Sequence, residues 1–558
     1  MLSHNGENMR ILFIQPPYNR FDEFKYWGHA SHQQFIPLAV LFLSAAIKES
    51  HNNVITEFLD LHLHLTKKND YNNIRDFINF EISRYNVEQP DIISITCNFN
   101  PCAESYEVIT SRIKEVWPHS ITIVGGFLPT GAPELFLDDL NTDFLCIGEG
   151  ERALKKFVTS MKNKNFDGIP GIYSRDNLKT AIENNNIVRT ELVESLDDLP
   201  LPDYSLVEKN INQYDIIPIL FSRGCPNRCA FCANNLISGK KLRYRSLNSI
   251  IREIDFLYTK YHKKTFHVCD ANPTVNKKLF LSIINSVNRK WGSEIQFNFF
   301  NGIDINYCDI EIIKAIKACG NSTILFSVES GSPYVLSKLM LKRMDLDKAK
   351  YLSAKAREIG LNTGCYFVLG MPGETHEMLN ETFEYALSFP TDWCTFSIAT
   401  PLPGSKLYSD CIKKGNIKIK TLNDLAKMQA HYRSFDLPEI SAEEIMQIQE
   451  RFDKIINYIE NYNYKTGNFE RAILRFITVS QHHPFQILAH LMLLKIYREQ
   501  SGGNPNKTKA AVEKEEEILD LLRNNSVSRN IYNKYKFDPL FRELCNQITE
   551  NVDQSKVY

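Results

Sequence analysis

The run Ser222-Arg-Gly-Cys-Pro-Asn-Arg-Cys-Ala-Phe-Cys232 places Cys225, Cys229 and Cys232 in the spacing Cys-x3-Cys-x2-Cys, with no fourth cysteine close by. Three thiolates can hold three irons of a [4Fe-4S] cluster and leave the fourth iron open, which is typical of a catalytic metal site. The alternatives are a zinc site that borrows a distant ligand, or three unrelated buried thiols. The spacing, and its place directly after the apolar stretch 215–221, favour the iron–sulfur cluster.

Composition limits the class of protein. The chain has 558 residues, of which 43% are hydrophobic, with 65 basic and 66 acidic side chains and a net charge of −1. This length predicts three or four domains. The balanced charge gives no reason to expect a nucleic-acid partner. Thirteen cysteines are too sparse for a disulfide scaffold, so thiolate ligands would need a reducing compartment.

The sequence predicts a soluble, cytoplasmic protein without membrane segments. The first ten residues are polar and lack the apolar core of a signal peptide. The longest apolar stretch, 35–47, contains Pro37 and Ser44 and is too short to span a bilayer, so it predicts a buried helix.

Residues 1–160 alternate short apolar strands with helices and predict an α/β, doubly wound, Rossmann-like parallel sheet. The predicted strands are Ile11–Gln15, Val54–Leu59, Ile92–Thr96, Ile121–Val124 and Phe144–Ile147. In such a sheet, ligands bind outside the carboxyl ends of the strands. The turns Gly125-Gly126 and Gly148-Glu-Gly-Glu151 fall at those ends.

Residues 161–214 predict a linker with little periodicity, and residues 215–415 alternate strands with helices again. The predicted strands are Ile217–Phe221, Thr265–Cys269, Ile295–Phe300, Thr323–Val328, Gly364–Leu369 and Cys394–Ala399. Six β/α units predict a partial (β/α)6 barrel whose active site lies at the carboxyl ends of the strands. Residues 416–558 are charged, helical in pattern and without a catalytic cluster.

Several motifs together resemble those of the cobalamin-dependent radical S-adenosylmethionine (SAM) enzymes. They are the cysteine run, Phe326-Ser-Val-Glu-Ser-Gly-Ser332, Tyr366-Phe-Val-Leu-Gly-Met-Pro-Gly-Glu-Thr375 and Thr400-Pro-Leu-Pro-Gly-Ser405. The Pro-Pro-Tyr turn after the first strand, the two glycine turns and Leu-Asp-Asp-Leu-Pro-Leu-Pro-Asp203 resemble the B12-binding part of the same family. The resemblance covers residues 9–413 and leaves the tail unassigned.

The resemblance implies a role for each matching position. The three cysteines would bind the cluster, and the methionyl amine and carboxylate of SAM would chelate the open iron. Glu329 would contact the ribose. The implied SAM contacts are Phe231, Asp270, Glu329, Ser330, Gly370, Met371 and Pro372. The stretch Cys-Asp-Ala-Asn272 departs from the acidic pair followed by Asn that is usual in the family.

The B12-binding part implies a second cofactor, cobalamin. The implied contacts are Pro16, Pro17, Tyr18, Thr96, Cys97, Asn98, Gly125, Gly126, Gly148 and Glu149. Gly125 and Gly126 would make room for the nucleotide tail. The loop after the first strand, 15–21, has no histidine, and His62 and His64 follow the second strand instead. We therefore expect cobalamin to bind with no histidine on cobalt.

The resemblance implies a methyltransferase that acts on an unactivated carbon of a small molecule, a natural product or cofactor precursor. A 5′-deoxyadenosyl radical would take a hydrogen from the substrate and methylcobalamin would supply the methyl group. The alternatives are a non-methylating cyclase, ring-contraction or rearrangement enzyme, and a corrinoid- or redox-sensing binding protein. No catalytic residue beyond the cofactors is expected. An external flavodoxin- or ferredoxin-type electron donor and a monomer or simple homo-oligomer are expected.

Overall fold

The computed structural model describes residues 8–18, 35–65, 71–85, 87–214, 216–428, 432–500 and 509–548. In chain order these residues form a six-stranded sheet, a partial barrel and a helical tail. The α/β class and the sheet-then-barrel order predicted from the sequence are confirmed.

The first sheet has the strand order β2-β1-β3-β4-β5-β6. Its strands are β1 (Met9–Gln15), β2 (Val54–Asp60), β3 (Ile92–Thr96), β4 (Ile121–Gly125), β5 (Phe144–Cys146) and β6 (Ile172–Ser174). All neighbours pair in parallel except β5 and β6, which are antiparallel. Every residue of β3 is buried, as expected for a central parallel strand covered by helices on both faces. The covering helices are α1 (Leu38–Ser50), α2 (Leu61–Leu65), α3 (Ile74–Arg84), α4 (Cys102–Val116), α5 (Phe127–Gly131) and α6 (Gly150–Ser160).

The stretch 161–214, predicted as a linker, contains regular structure. It supplies the edge strand β6 and the helix α7 (Arg175–Glu183). A three-residue strand is too short to show the alternation by which sequence patterns are read. The first sheet therefore has a sixth strand that the sequence does not predict, and it ends at Ser174, beyond the predicted domain boundary at residue 160.

The barrel consists of six parallel strands in two sheets, with the orders β11-β10-β7 and β12-β13-β14. The strands are β7 (Ile217–Ile219), β10 (Thr265–Val268), β11 (Gln296–Asn298), β12 (Thr323–Glu329), β13 (Asn362–Leu369) and β14 (Trp393–Ile398). A parallel bridge between Ile303 and Phe326 joins the two sheets. A short antiparallel hairpin, β8 (Ser222–Arg223) and β9 (Arg243–Tyr244), encloses the cysteine run.

Helices cover the outside of the barrel and form the tail. The barrel helices are α8 (Asn235–Ser238), α9 (Leu247–Tyr261), α10 (Lys277–Trp291), α11 (Ile310–Ala318), α12 (Leu346–Glu358), α13 (His376–Leu387) and α14 (Lys406–Lys413). The tail helices are α15 (Leu422–Ala426), α16 (Ala442–Lys454), α17 (Tyr462–Lys465), α18 (Phe469–His482), α19 (Ile487–Gln500), α20 (Lys509–Asn524), α21 (Ser526–Tyr535) and α22 (Arg542–Cys545). None of the helices in the described ranges is long and apolar enough to cross a membrane.

Asp392, buried just before β14, fastens the tail to the barrel. Its carboxylate accepts hydrogen bonds from Arg471 Nε (2.9 Å) and Nη2 (2.6 Å) and from Asn463 Nδ2 (2.8 Å). It also accepts the backbone N–H of Thr363 (2.7 Å) and pairs with Arg357 (3.1 Å). Two of these partners belong to the tail, so the tail is packed as part of the barrel.

One apolar core continues from the first sheet into the barrel. It includes Ile95 of β3, Ala230 of the cysteine run, Met371 after β13, and Leu425 of α15. Burial of this shared core stabilises the arrangement in which the carboxyl ends of both sets of parallel strands face each other.

Candidate active site between the two parallel sheets

The cysteine run leaves the barrel after β7 and is held by backbone hydrogen bonds. Ala230 N–H donates to Met340 O and Leu407 N–H donates to Ala230 O, both at 2.8 Å. Gly224 has φ +93°, and a Cβ there would collide with the carbonyl oxygen of Lys241 across the hairpin. Only glycine therefore allows the run to begin where it does.

The three thiols are accessible and lie near one another. Cys225 and Cys229 are half-buried and Cys232 is exposed. The pKa of Cys229 is raised to about 12, chiefly by burial; Lys342 opposes this rise, and the neighbouring Cys232 and Cys225 contribute to it. Within the described ranges no three Cys, His, Asp or Glu side chains stand close enough to hold a single metal ion. In a four-iron cluster each thiolate binds a different iron, so the thiols stand further apart than ligands of one ion, and the run fits that larger group.

Asp304 connects the cysteine run to the loop after β11. Its Oδ2 accepts hydrogen bonds from Asn227 Nδ2 (2.6 Å) and from Asn272 Nδ2 (3.3 Å). Asn235 Nδ2 donates to the carbonyl of Asn227 (2.8 Å). These amide contacts fix the run relative to the ends of two barrel strands.

Glu329 ends β12 in a backbone conformation that is rare for a side-chain-bearing residue, with φ +73°. Its Oε1 accepts a hydrogen bond from Lys342 Nζ (2.9 Å), which also donates to Ser327 O (2.7 Å). Burial lowers the pKa of Lys342, but the carboxylates of Glu329 and Asp304 outweigh it and leave that pKa raised. Backbone strain of the kind seen at Glu329 clusters at functional sites. The role of Lys342 could not be predicted from the sequence.

Asp270, at the end of β10, braces the first barrel strand. Its Oδ1 accepts the N–H of Phe221 (2.7 Å) and its Oδ2 accepts the hydroxyl of Ser222. Burial raises the pKa of Asp270 to about 7, against the lowering effect of these hydrogen bonds. Both carboxylate oxygens have protein partners, so the predicted contact with SAM would have to compete with them.

The other predicted SAM residues divide between turns and the core. Ser330 is fully buried and its hydroxyl pairs with Thr382 Oγ1 (2.9 Å). Phe231 is partly buried against the same core as Met371. The predicted contacts of Phe231, Ser330, Met371 and Pro372 with SAM stay predictions.

The turn Gly370–Glu374 is organised from both sides. Glu374 Oε2 accepts the N–H groups of Gly370 (2.6 Å) and Met371 (2.9 Å), and Arg433 Nη2 from the tail donates to Gly370 O. Burial raises the pKa of Glu374 to about 7, although both N–H groups and Arg433 lower it. Gly370 has φ +78°, and a Cβ there would lie 2.6 Å from Arg433 Nη2. The tail thus shapes the turn predicted to flank the adenine.

A cavity of about 320 Å³ opens at the carboxyl ends of β3, β4 and β5. Six of the ten predicted cobalamin residues line it: Thr96, Asn98, Gly125, Gly126, Gly148 and Glu149. A Cβ at Gly126 would lie 2.5 Å from Cys97 O, so glycine is what keeps the space beside the cavity open. The barrel supplies the facing wall, from Leu220, Arg223, Asn234, Ile237, Ser238 and Cys269.

The remaining predicted cobalamin residues lie outside the cavity wall. Cys97 is fully buried, and Pro16 and Pro17 are buried at the end of β1. The Tyr18 N–H donates to His62 Nδ1 (3.1 Å), and its ring lies 5.2 Å from that of Phe99. Burial raises the pKa of Tyr18 strongly, with smaller contributions from Asp60, Cys102 and Cys269. Cys269 follows β10, so Tyr18 stands where the two strand ends approach.

Both histidines after β2 have protein partners. His62 is buried and accepts the hydrogen bond from Tyr18, while His64 Nδ1 lies 2.7 Å from Glu81 Oε2. Both imidazoles are therefore hydrogen-bonded to residues of the first sheet and its helices. The absence of histidine on cobalt stays a prediction.

Glu149 is paired with a residue of the barrel, and its predicted contact with cobalamin stays a prediction. Both its oxygens pair with Arg243, at 2.6 and 2.9 Å, and Oε2 also accepts the N–H of Val193 (3.0 Å). Although Glu149 lines the cavity, its carboxylate is used to join the first sheet to the barrel. Sequence spacing could not predict this ion pair, because Arg243 lies 94 positions away from Glu149 and is brought to it by tertiary packing.

Two family models match the chain. The Radical SAM superfamily model matches residues 219–386, and the B12 binding domain model matches residues 29–158. The chain belongs to the B12-binding radical SAM enzymes. The first match covers the cysteine run and four of the six barrel strands, β10 to β13, and the second covers the strand ends that line the cavity.

Relatives and solved structures agree with this assignment. An uncharacterized methyltransferase, PH0819 of Pyrococcus horikoshii, is 27% identical over 79% of this chain and 93% of that protein. The anaerobic magnesium-protoporphyrin IX monomethyl ester cyclase of Rubrivivax gelatinosus is 24% identical over 72% of this chain and 70% of that protein. The structure of the radical SAM methyltransferase TsrM from Kitasatospora setae, with cobalamin and [4Fe-4S] cluster bound, has a TM-score of 0.58 and 15% identity over 74% of this chain and 76% of that chain. At that identity the TsrM structure supports the fold alone.

Proposed function

We propose that this radical SAM enzyme is a cobalamin-dependent methyltransferase that acts on an unactivated carbon of a small molecule. The observation that carries the proposal is the shared cavity, whose walls come from the B12-binding sheet and from the segments flanking the cluster cysteines. A cofactor bound in this cavity would lie beside the cluster that Cys225, Cys229 and Cys232 would hold. The methyltransferase name of PH0819, which aligns over most of its length, supports methyl transfer.

Each cofactor has residues that fit it. Cys225, Cys229 and Cys232 would bind the cluster, Glu329 would hold the SAM ribose, and the turn at Gly370 would flank the adenine. The nucleotide tail of cobalamin would enter the cavity beside Gly126, with no histidine on cobalt. When bound, the cluster supplies the electron that cleaves SAM, and cobalamin supplies the methyl group.

The protein's own residues orient these groups and exclude water. Lys342 holds the Glu329 carboxylate, and Asp304 holds the cysteine run against two strand ends. Tyr18 and Phe99 form an aromatic pair at the end of the first sheet. An aromatic surface of this kind suits a flat ring or an apolar substrate.

The proposal includes a flavodoxin- or ferredoxin-type electron donor.

A cyclase or rearrangement enzyme is the second candidate, because a relative named as a cyclase aligns over 72% of the chain. It would use the same cofactors without transferring a methyl group. Both candidates need the three cysteines, so cluster loss alone does not separate them.

Isotope transfer separates the two functions. The anaerobically reconstituted protein, with cobalamin and a low-potential reductant, is incubated with trideuteromethyl-SAM and a small-molecule extract of the source organism lacking this gene. We expect one metabolite to gain the intact trideuteromethyl group, and no such product with the Cys229→Ala variant. A product that depends on Cys229 but carries no deuterium would favour the second candidate.

A further inference from the structure

The barrel wall of the cavity comes from residues that flank the cluster cysteines. Arg223 stands two positions before Cys225, and Asn234 stands two positions after Cys232. Any molecule that fills the cavity therefore touches both ends of the cysteine run.

Four buried charged groups lock this wall to the first sheet. Arg223 pairs with Glu151 (2.6 Å) and Glu149 (3.4 Å), and Arg243 pairs with Glu149 (2.6 Å). Arg223 and Arg243 face each other in the β8–β9 hairpin that encloses the run. Two positive and two negative charges balance. Removing one would leave its partner buried and unpaired.

Asn234 contacts the cysteine run and also lines the cavity. Its backbone N–H lies 3.4 Å from the Sγ of Cys232, in position to donate to that thiolate. Its side-chain Nδ2 is buried and has no hydrogen-bond partner. An unpaired buried donor is costly, so an acceptor oxygen in the cavity would be favoured there. Hydrogen bonds to the sulfurs of a cluster change its reduction potential, so a movement of Asn234 would change the properties of the bound cluster.

We propose that Asn234 and the charged group Glu149, Glu151, Arg223 and Arg243 are positioning residues that couple cobalamin in the cavity to SAM binding at the cluster. The inference rests on the proposed function for the identity of the two ligands. The phosphodiester and carboxamide oxygens of cobalamin would accept from Asn234, and the hairpin would carry the effect to the cysteine run. Coupling between two binding sites is reciprocal, so each ligand changes the affinity for the other by the same factor.

The test measures binding in both directions. The dissociation constant of SAM is measured on cluster-reconstituted protein with and without hydroxocobalamin, and that of hydroxocobalamin with and without SAM. In wild-type protein we expect each ligand to tighten the other about tenfold. In Asn234→Ala, which keeps the backbone N–H, and in Arg243→Met, we expect a factor near one with iron and sulfide content retained.

Arg245→Met is the matched control. Arg245 lies two residues after Arg243 and is equally buried, but its partner Glu253 belongs to the barrel. We expect this variant to lose stability and to keep the tenfold coupling.

Two results would overturn the inference: independent binding in wild-type protein, or coupling that persists in Asn234→Ala. Asn234→Ala decides the matter if Arg243→Met does not fold. A protein that couples the two ligands but transfers no methyl group would overturn only the proposed function, whereas methyl transfer without coupling would overturn only this inference.

Discussion

Alanine at position 126 tests whether the glycine pair after β4 shapes the cobalamin cavity. Gly126 has φ +115° and ψ −166°, a region that essentially only glycine populates. A Cβ there would lie 2.5 Å from Cys97 O and 2.6 Å from Asn98 Oδ1. Cys97 O accepts the N–H of Leu128 at 3.0 Å, so it cannot withdraw without losing that hydrogen bond.

The magnitude follows from these two penalties. The backbone conformation costs about 1–3 kcal/mol for a residue with a side chain. Crowding against a fixed carbonyl adds about 1–3 kcal/mol. Reduced freedom of the unfolded chain returns about 0.4–1 kcal/mol. We expect Gly126→Ala to lose about 1–5.6 kcal/mol locally. We also expect it to bind cobalamin at least about tenfold more weakly, which needs about 1.4 kcal/mol of that strain in the bound state.

Visible-absorption titration with hydroxocobalamin and thermal unfolding measure the two effects. Gly168→Ala is the matched control, because Gly168 has φ +74° but a Cβ there has nothing within 4 Å. Gly125→Ala adds a methyl group at an ordinary 3.5 Å contact with Cys146, so it should fold normally while narrowing the cavity. The reasoning is refuted if Gly126→Ala binds cobalamin as tightly as Gly168→Ala does.

Three further predictions follow from the site. Cys229→Ser should lower the iron content of reconstituted protein and abolish reductive SAM cleavage, measured as 5′-deoxyadenosine; undiminished cleavage would contradict the cluster assignment. Lys342→Met should cost about 3–5 kcal/mol in unfolding free energy because it leaves the buried carboxylate of Glu329 unpaired, and adding Glu329→Gln should return part of this loss; equal stability of the single and double variants would speak against the pair. Glu374, with a pKa raised by burial to about 7, binds its proton when folded at pH values where the unfolded chain has lost it, so its stabilising contribution is full below about pH 4.5 and about 3 kcal/mol is lost as the pH rises to 7. Glu374→Gln should flatten this part of the stability profile, and an unchanged slope would refute the assignment.

The parallel strands were predictable because their signal is local. Ile92–Thr96 forms β3 as predicted, and the other predicted strands are displaced by at most two residues at either end. A strand buried on both faces needs a continuous apolar run, and such runs are visible in one sequence. The glycine turns at positions 125 and 148 were equally readable, because parallel strands bring their carboxyl ends to one edge.

Contacts between distant charged residues could not be predicted. Nothing near Glu149 in the sequence indicates that it will pair with Arg243, so the sequence alone predicts only a cofactor contact for a carboxylate beside a glycine turn. Lys342 lies in an unremarkable polar stretch and gains its role from the unusual backbone of Glu329. Arg433 belongs to a tail without any motif, yet it donates to the turn at Gly370. Such pairings depend on tertiary packing and cannot be predicted from sequence spacing.

The hydrogen bonds from the tail to Asp392 limit where this protein can be joined to segments of its relatives. A chimera joined at residue 415, where the barrel pattern ends, would leave behind Arg471 and Asn463 and strand a carboxylate that is 3% exposed. Grafts should instead exchange Asp392 together with its tail partners, or replace it by an uncharged residue. The barrel and the tail of this protein should therefore be exchanged together.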